Sequence, residues 1–255
     1  MDIKPIRITR LDDLPADAAA HSLQQRYAGL ATHINERYRA LYGGAETGAD
    51  AIALLSVVSD FLSVMEQIDQ EFGCDGPLPF EDAAEAADQA LRCLAELESW
   101  LRRLDLAPLC NDLQTIVLGL GFWAMRHECQ ILGAEPIIDA LAGRASAAAS
   151  RQEIAAVYGM MQGFIEMLQP ALGADLERSS PQRPWRLLNL NFAILGIRSG
   201  DEILMRFAFG KLNKNLPNER AGFYAEALQL AEHAGLPEAV QALIRCEHLK
   251  WTKAH

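Results

Sequence analysis

Leu113 to Met125 reads Leu-Gln-Thr-Ile-Val-Leu-Gly-Leu-Gly-Phe-Trp-Ala-Met, the longest uncharged run in the chain, bounded by Asp112 and Arg126. Its apolar residues fall on every side of a helical projection, so a helix here must be buried all round. The run is shorter than the ~20 residues that cross a bilayer. It predicts a central helix around which the others pack.

Apolar residues elsewhere recur at three- and four-residue steps, the period of an amphipathic helix. Leu23, Tyr27, Leu30, Ile34, Tyr38 and Leu41 form one such stripe, and Gly43-Gly44 end it. Ile3, Ile6 and Ile8 before it suggest a short extended arm, and Leu14-Pro15 opens the helical pattern. A second helix is expected from about Asp50 to Phe72, with Ser56, Ser59, Asp60, Ser63, Glu66, Gln67 and Gln70 on its polar face. A third runs from about Glu81 to Leu104. There Glu81, Glu85, Asp88, Arg92 and Glu96 face water, and Asp88–Arg92 and Glu98–Arg102 make i,i+4 pairs.

After the central run, Pro136 opens a short helix to about Gly143. Ser150-Arg-Gln-Glu153 is a capping box that starts another, through Leu168. Gly173 to Arg183 has the composition of a linker, and four evenly spaced helices follow at about 184–198, 201–214, 217–234 and 237–251. No strand pairs are visible. The expectation is an all-α protein, a helical bundle or α-α superhelix of about ten helices.

Charge divides the chain in the same place. The whole carries -11. Residues 1–172 hold 12 Lys+Arg against 25 Asp+Glu, a net of -13, and residues 173–255 hold 11 against 9, a net of +2. This suggests an acidic N-terminal bundle, 1–172, with a C-terminal region, 173–255, packed on it. An acidic surface argues against nucleic acid as a partner, because phosphates need Lys and Arg. The five cysteines stand singly with no C-x-x-C pair, which suggests neither a disulfide framework nor a zinc ribbon. With no signal-peptide pattern at the N-terminus, the expectation is a soluble cytoplasmic protein without a membrane partner.

Residues 185–252 resemble tetratricopeptide-type helical-hairpin repeats. Ala193 stands at the small packing position, Gly200 at the hairpin turn, Phe209 at an aromatic position, Pro217 at the close of the unit and Ala227 at the small position of the next. Asn189 occupies the usual tryptophan position, Trp185 lies four residues earlier, and Met205 replaces a small residue. The resemblance implies a scaffold that binds peptides or protein partners along a concave face. Leu187, Asn191, Ile194 and Arg198 then form the inner stripe of the first hairpin, with Tyr224 and Leu228 on the next lining the same groove. Asn191 and Arg198 would hold a partner's backbone or carboxylate.

Other chemistry is thinner. Gly119-Leu-Gly121-Phe-Trp-Ala124 spells a dinucleotide-loop pattern, but such a loop needs a strand before it and a helix opening on it. Glycines that let a neighbouring helix come close are the simpler account. His127-Glu-Cys129 and Cys246-Glu-His248 place metal-capable groups two apart, which on a helix point to different sides. No metal, nicotinamide or flavin is therefore expected. Arg126, His127 and Glu128 are the densest functional groups beside apolar sequence, either an enzyme site or, more simply, a buried Arg–Glu pair that sets helix register. The reading is a non-enzymatic helical scaffold for protein–protein interaction. The alternatives are an enzyme centred on Arg126–Glu128 and a homodimer that buries an exposed apolar helix face.

Overall fold

Among the described residues, the three- and four-residue apolar spacing becomes helix. The computed structural model describes Ile8 and residues 23–43, 51–79, 82–174 and 180–252, and among these there are ten α-helices and no strand. They are α1 (Leu23–Tyr42), α2 (Ala51–Phe72), α3 (Ala83–Arg103), α4 (Cys110–Arg126), α5 (Glu135–Ala147), α6 (Arg151–Leu172), α7 (Pro184–Ser199), α8 (Glu202–Asn215), α9 (Arg220–His233) and α10 (Glu238–Thr252). The Leu14-Pro15 start, most of the N-terminal arm and part of the 173–183 linker lie outside the described residues. Ile8 is buried, and its N–H donates to the Gly159 carbonyl at 3.3 Å.

The punctuation acts where the chain needs it. Gly43 and Gly200 take left-handed φ of 63° at the ends of α1 and α7, a conformation that costs glycine nothing. Ser150 and Glu153 close the capping box in both directions. α5 runs four residues beyond its expected end at Gly143. The added turn buries Ala145 and is tied to α4 by Arg144, which donates to the Thr115 hydroxyl at 2.7 Å.

Helices α1 to α4 close into a ring, α1 on α2, α2 on α3, α3 on α4 and α4 back on α1. Arg37 near the end of α1 donates to the carbonyl of Leu104, just past α3. Asp69 near the end of α2 meets His127, just past α4. The ends of α1 and α3 therefore share one end of the bundle and those of α2 and α4 the other, the up-down-up-down arrangement of a four-helix bundle. α4 is the shared element. It packs on α1, α3 and α5, stacks Phe122 on Phe164 of α6, and sets Trp123 edge-on to Phe61 of α2. Trp123 is 1% exposed. The Gly119–Ala124 motif lies inside this helix, and a Cβ on Gly121 would meet Phe164 at 2.9 Å and Ile137 at 3.0 Å.

Beyond the bundle, α7 packs on α5, α6 and α8, and α9 packs on α10. One correction concerns Asp88, read from the sequence as solvent-facing and paired with Arg92. It is buried, and its carboxylate accepts the backbone N–H of Leu132 and of Gly133 at 3.0–3.2 Å. Arg92 donates instead to the Asp88 backbone carbonyl. A carboxylate at this place fixes the turn after α4 onto α3. The Glu98–Arg102 pair forms at 2.7 Å.

Candidate functional site

The buried stripe of α2 is Ala51, Leu55, Val58, Leu62 and Met65. The next step of that stripe is Asp69, a charge turned towards the bundle that requires partners. Its Oδ1 accepts the indole N–H of Trp123 at 2.9 Å and lies 2.9 Å from His127 Nε2. The other ring nitrogen of His127 lies 2.9 Å from the Gly76 carbonyl. Arg126 lies 3.6 Å from Asp69 and 3.8 Å from Asp75, and donates to the Cys74 carbonyl at 3.0 Å. The Gly76 N–H returns to the Arg126 carbonyl.

This overturns the expectation of a buried Arg126–Glu128 pair. Glu128 is exposed in the left-handed turn that ends α4, at φ 56°, and the carboxylates beside Arg126 come from Asp69 and Asp75. Trp123, Arg126 and His127 each make polar crosslinks within the chain. Together they lock the end of α2 and the 73–79 loop to the end of α4. Asp69 is the residue that sequence reading missed. Its signal is the seven-residue step Leu55, Leu62, Asp69, which puts an acid on a buried stripe.

The groove residues expected on the C-terminal hairpins are placed unequally. Leu187, Asn191, Ile194 and Arg198 share one side of α7, as their spacing requires; Leu187 and Asn191 are half-buried and Ile194 is 43% exposed. The Arg198 guanidinium donates to the carbonyls of Ala145 and Ala148, at the end of α5. Helix ends leave such carbonyls without intrahelical partners, so Arg198, an exposed residue, closes the end of α5. Tyr224 is a further correction. It is fully buried, edge-on to Phe209, with its hydroxyl donating to Asn213 Oδ1 at 3.0 Å. Burial pushes its hydroxyl above the usual tyrosine range. It belongs to the α8–α9 core and lines no open groove. Leu228, one turn on, is half-buried.

A third polar cluster joins the start of α7 to the start of α9. Arg183, 5% exposed, donates to Glu219 at 2.8 Å, and Arg186 donates to its other oxygen at 3.0 Å. Burial pushes the Glu219 carboxyl up. The bonds and charges of the two arginines outweigh that and hold it below the usual glutamate range. Asn189, buried, donates to the Trp185 carbonyl and accepts from Asn215, which ties α7 to the end of α8.

One element has apolar surface left over. α2 is long and apolar enough to cross a membrane by length and composition alone, yet only 28% of its most apolar window is buried in the protein. Beside its buried stripe runs a second one, Leu54, Val57, Phe61, Val64, Ile68 and Phe72. Leu54, Phe61 and Ile68 are half-buried, while Val57, Val64 and Phe72 are 45%, 47% and 42% exposed. Leu54, Phe61 and Ile68 stand seven apart and Val57 and Val64 fall between them, the a and d spacing of a helix-pairing seam. At 100° per residue the six occupy an arc of about 80°.

Comparison with known protein families, with curated proteins and with solved structures gives no match, so the function is read from these residues.

Proposed function

We propose that this protein is a non-enzymatic helical scaffold for protein–protein interaction, and that the outward stripe of α2 is its docking face. The observation that carries this is the second stripe itself. Val57 and Val64, both more than two-fifths exposed, stand in register with half-buried Leu54, Phe61 and Ile68 along a single helix, and exposed apolar surface of this kind marks interaction sites. The repeat-like hairpins α7–α8 and α9–α10 suit the same role as support. They present Ile194, Ile203, Leu230 and Leu249 singly to solvent. An enzyme centred on Arg126–Glu128 has less support, because His127 and Arg126 bond to the chain itself.

The test is the size of the protein in extract of its native cell. Wild type should elute as a species larger than the 28.0 kDa chain, and the double variant Val57→Ser/Val64→Ser should return to the mass of the chain alone. A wild type that already elutes at that mass would remove the docking face.

A further inference from the structure

Resting on that reading of α2, we infer that the partner is an amphipathic helix whose apolar stripe is flanked by lysine or arginine. Charge selects it. α2 carries Asp60, Glu66, Asp69 and Glu71 and no lysine or arginine. Between Arg39 and Arg92 the chain holds eleven acidic residues and no lysine or arginine at all. Asp69 is engaged by Trp123 and lies beside His127 and Arg126, and Asp88 by two backbone N–H groups. Asp60 and Glu71 are exposed and border the stripe on its polar side.

Geometry sets the rest. A seam with a and d spacing takes a helix lying along it at a shallow crossing angle, its side chains inserted between those of α2. From Leu54 to Phe72 the seam is roughly 27 Å long, so the matching segment spans about three heptads. Lysine or arginine beside the partner's stripe would meet Asp60 and Glu71 at the rim. A second copy of this chain would bring acidic margin against acidic margin. A phospholipid surface rich in anionic headgroups would be repelled by the same charges.

The experiment titrates the full chain with fluorescent helical peptides of about three heptads. All have leucine or isoleucine at a and d. One carries lysine at e and g and a second carries glutamate there. A third keeps the lysines and scrambles the apolar order. The lysine peptide should bind roughly tenfold or more tightly than the glutamate peptide, with affinity that falls as salt rises. Val57→Ser/Val64→Ser should weaken it by a similar factor, since the apolar burial is lost. Asp60→Asn/Glu71→Gln, two exposed changes that leave the apolar seam whole, should weaken it severalfold and flatten the salt dependence. Glu226→Gln, an exposed acid on α9, should change nothing.

Equal binding of the lysine and glutamate peptides would overturn the basic partner while leaving α2 a docking face. The same holds for a concentration-dependent dimer in analytical ultracentrifugation that the serine variant abolishes, which would make a second copy the occupant. Equal binding of the scrambled peptide, binding to none of the three, or serine-sensitive binding to phosphatidylcholine vesicles would overturn both the partner and the docking face.

Discussion

His127 Nε2 lies 2.9 Å from Asp69 Oδ1, so the last turn of α2 and the residue that ends α4 are held by one carboxylate. The same oxygen accepts the indole N–H of Trp123, the largest buried side chain of the central helix. Asp69→Ala should leave both buried donors unpaired and cost about 3 kcal/mol, since each orphaned donor costs roughly 1–3 kcal/mol. Asp69→Asn, which keeps a carbonyl oxygen for the indole, should cost less. Urea unfolding of the three proteins measures the order. Native-state hydrogen exchange adds a local readout, because the Gly76 N–H bonded to Arg126 should exchange faster in the alanine variant. Three proteins of equal stability would mean that the carboxylate does not hold these helices together.

Gly121 and Gly210 should respond to alanine with opposite signs. A methyl on Gly121 would push into Phe164, whose ring is fully buried and stacked on Phe122, and into Ile137. Overpacking of this kind costs about 1–3 kcal/mol. Gly210 stands inside α8 with nothing within 4 Å of the added carbon. There alanine gains roughly 0.5–1 kcal/mol by restricting the unfolded chain and favouring helix. Thermal midpoints of the two variants, one down and one up, are the expected result.

The helices were legible because their information is local. Apolar period, the Ser150 capping box, Gly43 and Gly200 each act within a turn or two of themselves, and the observed ends follow them closely. Partners across the fold were not. α2 has two adjacent apolar stripes with the same three-four spacing, and only packing decides that Val58 goes in while Val57 stays out. Asp88 has the helical neighbours of a surface acid, and its burial depends on Leu132 and Gly133, more than forty residues away. Tyr224 looked like a groove residue because the repeat resemblance orients a helix without saying how tightly its neighbour closes on it.

The Glu219 cluster should appear in the pH dependence of stability. Its carboxyl is held below the ordinary range in the folded protein, so the folded state binds its proton less readily than the unfolded chain. That contribution is fully present above the unfolded glutamate range and is lost as pH falls through the folded value. At neutral pH, Glu219→Gln should be less stable than wild type by roughly 1.5–3 kcal/mol, the range for hydrogen bonds to charged groups. The gap should narrow as the pH is lowered through the acid range, because wild type protonates and loses what the variant never had. Urea midpoints of both proteins at a series of pH values test this, and a gap that stays constant with pH would remove Glu219 as its source.

Arg198 was the residue on which a C-terminal groove depended, and its guanidinium instead donates to Ala145 and Ala148 at the end of α5. Cations at helix C-termini are favoured by the exposed carbonyls and the dipole they sum to. α5 has a gap to fill there, because the residue after it, Ala148, turns to an extended ψ of 120° and no left-handed glycine closes the helix. Arg198→Ala should therefore cost about 1–2 kcal/mol of stability. The loss should be focused on the last turn of α5, visible as faster amide exchange at Ala148, whose N–H bonds to the Arg144 carbonyl. Arg198→Lys should recover only part of it, since one ammonium cannot reproduce a planar fork aimed at two carbonyls. A protein whose stability is unchanged by Arg198→Ala, with exchange at Ala148 as in wild type, would show that the guanidinium does not close α5 and would reopen α7 as a binding surface.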